Sequence, residues 1–262
     1  MNALNALFAE HEQAVWLDFV ARGFIAKGEL QALVEKDDLR GVTSNPAIFE
    51  KAIGHSAEYD DSLKAALDHS DARVIDLYEG LAIADIQAAA DVLRRVYDTS
   101  DGADGYVSLE VSPYLALDTE ETLNEARRLH AAVGRDNLMV KVPATPAGLP
   151  AIRQLTAEGI SVNITLLFSQ SVYEEVANAF IDGLTEFGAK GGDVSKVASV
   201  ASFFISRIDS LVDKKLDEVG GYEDLKGKVA IANAKLAYQR YKRIFSGPKW
   251  EALEAKGAKA QR

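Results

Sequence analysis

Cysteine is absent from the 262-residue chain. That excludes disulfides, cysteine-ligated zinc, iron–sulfur clusters and thiol nucleophiles. Proline is sparse, with six residues, and neither it nor glycine gathers into a linker; no low-complexity segment or short repeat is present. Positive charge is in deficit: 29 lysines and arginines face 40 acidic residues, a formal net charge of −11. Such a surface repels nucleic acid and anionic lipid, so neither nucleic acid nor membrane is expected as a partner, while a local basic pocket for a small phosphate stays compatible. No run reaches the roughly 18 apolar residues of a membrane helix. The opening MNALNALFAEHEQ lacks a basic n-region and is broken by Glu10, His11 and Glu12, so it does not read as a signal peptide and a cytoplasmic location is expected. Neither GxGxxG nor GxxxxGK[ST] occurs, which leaves nucleotide binding without support. The four histidines, His11, His55, His69 and His130, show no HExxH spacing and fall outside the strand ends. A Ser-His-Asp triad and a histidine-bound metal are thereby disfavoured.

What is present is an ordinary globular composition, 48% hydrophobic and 26% charged. Short apolar runs alternate with longer amphipathic stretches, the βαβα pattern of a parallel sheet. The runs Ala14–Val20, Leu39–Asn45, Gly105–Val111, Asn137–Val142, Gly159–Phe168 and Lys196–Ile205 predict six strands, most of them nearly continuous in apolar character, as strands covered on both faces are. Apolar residues at spacings of three and four predict helices around Leu30–Val34, Val74–Val92, Leu123–Val133 and Val176–Phe180, and again after the sixth strand. Asp118 with Glu121, and Ser171 with Glu174, read as N-terminal caps. From Tyr222 the pattern is helical almost to the end. Six strands imply either an open six-stranded sheet or a barrel short of its last part.

Side chains alternate along a strand. On the fifth strand the alternation sets Val162, Ile164, Leu166 and Phe168 against Ser161, Asn163 and Thr165. Each of the other strands likewise has an apolar parity, with a polar residue on the opposite parity toward its C-terminal half: Asp18, Thr43 with Asn45, Glu110, Lys141 and Ser202. Six such residues point to one polar site at the C-terminal strand ends, where α/β barrels place their chemistry. Burying Lys141, Asp18 and Glu110 costs several kcal/mol per ion unless they are paired, and a core ion cluster is the bland alternative to a site. Without a cofactor motif, the chemistry that fits is amine catalysis: a desolvated lysine attacks a carbonyl, the iminium accepts electrons, and carboxylates move the protons.

The segments Trp16-Leu17-Asp18, Gly41-Val42-Thr43-Ser44-Asn45-Pro46, Leu109-Glu110-Val111, Met139-Val140-Lys141-Val142-Pro143, Val162-Asn163-Ile164-Thr165-Leu166-Leu167-Phe168-Ser169 and Ala201-Ser202-Phe203-Phe204-Ile205-Ser206-Arg207-Ile208-Asp209 resemble the transaldolase motifs, in that family's order. The match is closest to the longer bacterial branch, some of whose members are fused to phosphoglucose isomerase. The resemblance implies a (β/α)8 TIM barrel of the class I aldolase type. It implies a transferase of the pentose phosphate pathway that moves a dihydroxyacetone unit from sedoheptulose 7-phosphate to glyceraldehyde 3-phosphate, with no cofactor and no metal. By the same resemblance Lys141 matches the Schiff-base lysine, Asp18 the acid/base for the C4 hydroxyl, and Glu110 with Thr165 the pair that holds the proton-shuttling water. Asn45 and Asn163 match the amides on the dihydroxyacetone unit, Ser202 lines the same end, and Arg207 matches a phosphate-binding arginine. Thr43 joins the substrate-binding set, although a strand threonine is ordinarily satisfied by its neighbours.

Set beside that family, residues 1–262 read as a single barrel domain with strands one to six present and strands seven and eight missing. A remaining C-terminal segment or a fused isomerase domain is then expected as a partner, and the isolated chain is expected to have poor stability and weak activity. A fructose 6-phosphate aldolase of the same fold, and a non-catalytic sugar-phosphate-binding fragment, are the competing readings.

Overall fold

The computed structural model describes residues 2–69 and 73–262. The six expected strands form at β1 Val15–Asp18, β2 Leu39–Thr43, β3 Tyr106–Glu110, β4 Leu138–Pro143, β5 Val162–Leu167 and β6 Ser199–Phe203, and they join one sheet in chain order. β1 pairs with β2, β2 with β3 and β5 with β6, each in parallel. Twelve α-helices intervene among the described residues: α1 Ala3–His11, α2 Arg22–Ala26, α3 Glu29–Asp37, α4 Pro46–Gly54, α5 Asp60–His69, α6 Val74–Thr99, α7 Thr119–Val133, α8 Gly148–Ala157, α9 Gln170–Ala189, α10 Ser206–Val219, α11 Val229–Ile244 and α12 Pro248–Glu254. None of these helices is long and apolar enough to cross a membrane.

The chain divides into two compact units, Met1–Ser112 with Glu125–Val140, and Pro113–Asn124 with Lys141–Arg262. The first holds β1, β2, β3 and the start of β4. Its long helix α6 turns Leu81, Ile86, Ala89, Ala90 and Leu93 inward at helical spacing. Here the Val107 N–H donates to the Asn137 carbonyl at 2.9 Å, and the Asn137 side chain, fully buried, donates to the Ala90 and Gly105 carbonyls at 2.9 and 2.8 Å.

The second unit holds the end of β4, β5 and β6. Its core gathers Phe180, Ile181, Leu184, Val194, Val197, Trp250, Leu253 and Ala258. Lys141 stands three residues before Ala144, whose N–H donates to the Thr165 carbonyl at 2.9 Å and so sets the end of β4 against β5. Gly148 begins α8 so close to that strand end that a Cβ there would lie 2.0 Å from the Pro143 carbonyl oxygen. Only glycine allows this approach.

Three expectations are corrected in detail. The cap of α9 is Ser169, whose side chain accepts the Val172 N–H; Ser171 lies inside the helix. On β5 the alternation breaks: Leu166 takes a left-handed φ of 61°, and the register with β6 shifts between Ile164 and Leu167. This is a β-bulge, in which an extra residue reverses the faces beyond it. Leu167 therefore fills the core, while Leu166 and Phe168, expected beside Ile164, are exposed. The helical reading of the last residues also ends early. After α12 the chain runs along β6, where the Arg262 N–H donates to the Ser199 carbonyl at 2.9 Å and its own carbonyl accepts the Ala201 N–H at 2.5 Å. One residue bonded to i−1 and i+1 of its neighbour is the parallel-sheet pattern.

Candidate active site

In the first unit, register gathers the candidate residues of β1, β2 and β3. Asp18 pairs with Thr43 across β1–β2, and Thr43 pairs with Ser108 across β2–β3. Paired residues in a sheet point to the same face and alternate residues return to it. Asp18, Thr43 and Ser108 therefore share a face at one level, with Glu110 two residues further along β3, while Asn45 lies two residues past the end of β2. The buried Ser44 hydroxyl, which donates to the Ser108 carbonyl at 2.7 Å, locks the ends of β2 and β3 together.

Each member has a distinct environment. Asp18, the last residue of β1, is exposed. The Thr43 Oγ1 is buried and has no hydrogen-bond partner among the described residues. This departs from the expectation that a strand threonine is satisfied by its neighbours. Asn45 is the N-cap of α4: its Oδ1 accepts the Ile48 N–H at 3.0 Å, and Pro46 follows at the first helical position. The cap fixes the amide and leaves its Nδ2 donor end out of the helix. Glu110 ends β3 half-buried. Burial first, and then the Glu110 charge, push the Tyr78 hydroxyl above the ordinary phenol range. Tyr78 reads in the sequence only as an apolar marker of α6, and its hydroxyl gives no periodic signal.

In the second unit the candidate residues rest on β4, β5 and β6. Lys141 is 6% exposed on a strand buried along its whole length. Asn163 and Thr165 are buried on β5, and the Ser202 hydroxyl donates to the Asn163 Oδ1 at 2.8 Å. That bond orients the Asn163 amide. Arg207 is the second residue of α10 and is exposed. Its guanidinium lies over the Phe204 ring at 4.6 Å, and that ring stacks on Phe168 at 4.9 Å. No side chain caps α10, so the N–H groups of its first turn add to the positive potential beside Arg207. The bulge at Leu166, which the alternation cannot reveal, turns Phe168 out to meet Phe204.

Among the described residues no group of three or more histidines, aspartates or glutamates is placed to hold a metal ion. His69 closes α5, and its side chain lies outside the described residues.

A carboxylate-bearing face on the strands of the first unit, and a buried lysine and a buried amide on those of the second, define the class: an α/β protein with ionisable chemistry at its strand ends. Residues 15–261 match the family described as transaldolase/fructose-6-phosphate aldolase, and the chain belongs to that family. It is 51% identical over 260 residues to a transaldolase of Trichodesmium erythraeum, covering 95% of this chain and 68% of that protein. It is 50% identical over 273 residues to transaldolase 2 of a Nostoc species, covering 99% of this chain and 71% of that one. A transaldolase of Acidothermus cellulolyticus is 49% identical over 253 residues, with 95% and 67% covered.

Proposed function

We propose that the chain transfers a dihydroxyacetone unit from sedoheptulose 7-phosphate to glyceraldehyde 3-phosphate through a Schiff base on Lys141. The observation that carries this reading is the almost complete burial of Lys141 on a strand in a chain half identical to proteins named transaldolase. In this reading the six strands are strands one to six of a (β/α)8 barrel of the class I aldolase type, and residues 1–262 belong to a single domain acting in the cytoplasm.

The Lys141 amine adds to the C2 carbonyl of the ketose, and loss of water gives an iminium. Asp18 removes the C4 hydroxyl proton. The C3–C4 bonding pair then flows into the iminium, and erythrose 4-phosphate departs. The enamine left on Lys141 adds to the aldehyde carbon of glyceraldehyde 3-phosphate while Asp18 returns a proton to the new hydroxyl. Hydrolysis frees fructose 6-phosphate and restores the amine. Glu110 and Thr165 hold the water that moves protons during carbinolamine formation and breakdown. Asn163, oriented by Ser202, and Asn45 and Thr43 hydrogen-bond the dihydroxyacetone hydroxyls. Arg207 and the first turn of α10 hold the distal phosphate, a dianion suited to a planar fork and a helix N-terminus.

Borohydride reduction in the presence of fructose 6-phosphate tests this reading. The expected result is a covalent adduct located on Lys141 by peptide mass, with no adduct and no turnover in Lys141→Ala. A folded protein that gives no adduct, or a Lys141→Ala protein that still transfers, overturns it. Turnover that needs an aldose phosphate acceptor separates transfer from simple aldol cleavage, the other activity in the family's description.

A further inference from the structure

The segment that joins β1 to α2 carries Asp18 at its start and ends in a hydrogen-bonded ring that the reaction itself does not use. Arg22 is the first residue of α2, a helix with no side-chain cap. Its backbone N–H donates instead to the Tyr59 hydroxyl at 3.0 Å. The Tyr59 hydroxyl donates to Asp85 Oδ2 at 2.7 Å, and the Arg22 Nε returns to Asp85 Oδ1 at 2.9 Å. The Arg22 Nη1 reaches the Ser62 hydroxyl at 2.7 Å, and the guanidinium lies over the Tyr59 ring at 4.5 Å. Three stretches of chain thus converge on one residue: the 3-10 turn Ala57–Tyr59, helix α5 and helix α6.

The ring is dry. Tyr59 is fully buried and Asp85 is 3% exposed. Burial raises the Tyr59 hydroxyl far above the ordinary phenol range, so it stays a donor at any working pH. The Tyr59 hydroxyl both accepts and donates, and both Asp85 carboxylate oxygens are engaged; such closed networks hold one geometry more firmly than separate bonds do. Between the ring and Asp18 the chain has little slack. Val20 is buried at 1% exposure, and Phe19 meets Phe24 of α2 edge-on at 5.4 Å. Asp18 itself is exposed, so its position depends on what holds the backbone on either side. On the N-terminal side that is the β1–β2 ladder, and on the C-terminal side it is Val20 and the ring.

We propose that Tyr59 and Asp85 are positioning residues for Asp18: through Arg22 they fix the backbone from which the carboxylate reaches the substrate hydroxyl. The inference rests on Asp18 being the acid/base of the proposed reaction.

The test compares Tyr59→Phe, Asp18→Asn and the double variant, with fructose 6-phosphate as donor and erythrose 4-phosphate as acceptor, or sedoheptulose 7-phosphate as donor and glyceraldehyde 3-phosphate as acceptor. Tyr59→Phe is expected to lower kcat by about ten- to a hundredfold, with KM and the borohydride adduct on Lys141 little changed, because amine attack does not need Asp18. In the Asp18→Asn background the same change is expected to have no further effect on kcat. A merely structural role would instead lower adduct formation and kcat together, and its loss would add to that of Asp18→Asn. An unchanged kcat in Tyr59→Phe, or full additivity, overturns the proposal while leaving the mechanism intact. Full activity in Asp18→Asn, or a wild-type chain without turnover, overturns the mechanistic reading and the positioning role with it. If Tyr59→Phe does not fold, Arg22→Lys serves in its place: it keeps the backbone bond to Tyr59, loses the guanidinium fork, and is held to the same non-additivity.

Discussion

Thr43 separates function from stability at the level of a single side chain. Its Oγ1 is buried and lacks a partner among the described residues. Leaving a hydroxyl in that condition costs about 1–3 kcal/mol. Thr43→Val is close to isosteric and removes the cost, so thermal unfolding should show a melting temperature equal to or above that of the parent. If the hydroxyl is kept for a sugar hydroxyl, the same variant should raise KM several-fold in a steady-state assay while kcat changes little. A fall in melting temperature would show that Oγ1 is satisfied by solvent or by a neighbour. Most of the candidate residues were legible from the strand parity because a polar side chain stands out against a continuous apolar run. Lys141, Asn163 and Thr165 are such cases, and all three are buried as that parity implies. The unmet state of Thr43 and the proximity of Tyr78 to Glu110 were not legible, because each depends on residues far away in the chain; the capping use of Asn45 is local, made to Ile48 three residues on, and was overlooked beside its reading as a substrate amide.

At the level of elements the strands were readable for the same reason, and the errors lie where local chemistry offers two equal choices. Ser169 and Ser171 both suit a helix cap. Ser169 wins because its backbone is extended and its hydroxyl receives the Val172 N–H at 3.2 Å, while Ser171 is already helical and only exchanges a hydroxyl contact with Ser169. Ser169→Ala should therefore cost about 1 kcal/mol of stability in denaturant titration. Ser171→Ala should fall within roughly 0.5 kcal/mol of the parent, as exposed substitutions usually do. Equal effects would show that the two serines cap the helix jointly. The bulge of β5 is a subtler case. A leucine in the left-handed region costs roughly 1–2 kcal/mol, and no residue type in Val162–Leu167 announces it, since glycine is absent there. Its result reaches the candidate residue Arg207: it buries Leu167, exposes Phe168 and so builds the aromatic stack under that guanidinium.

For the whole molecule the question is whether the two compact units fold separately. One of the three divisions falls between Val140 and Lys141, inside a six-residue strand that is buried throughout. A strand cannot keep half its ladder while the other half loses its partners without leaving buried backbone N–H and C=O groups unpaired. The single-domain reading therefore predicts one cooperative transition. The chain supplies its own reporters, because it has two tryptophans, Trp16 in the first unit and Trp250 in the core of the second. In Trp250→Phe the fluorescence follows only Trp16, and in Trp16→Phe it follows only Trp250. Within each variant, fluorescence and far-ultraviolet circular dichroism should give coincident urea midpoints, since coincident probes are the signature of two-state unfolding. Trp250→Phe will lower both midpoints together, because it trims a side chain that is 1% exposed. A fluorescence midpoint displaced from the dichroism midpoint in either variant would mean that β4 joins two independently folding halves. In the single-domain reading, a ligand that binds the folded chain, such as saturating fructose 6-phosphate, should shift that one transition upward as a whole.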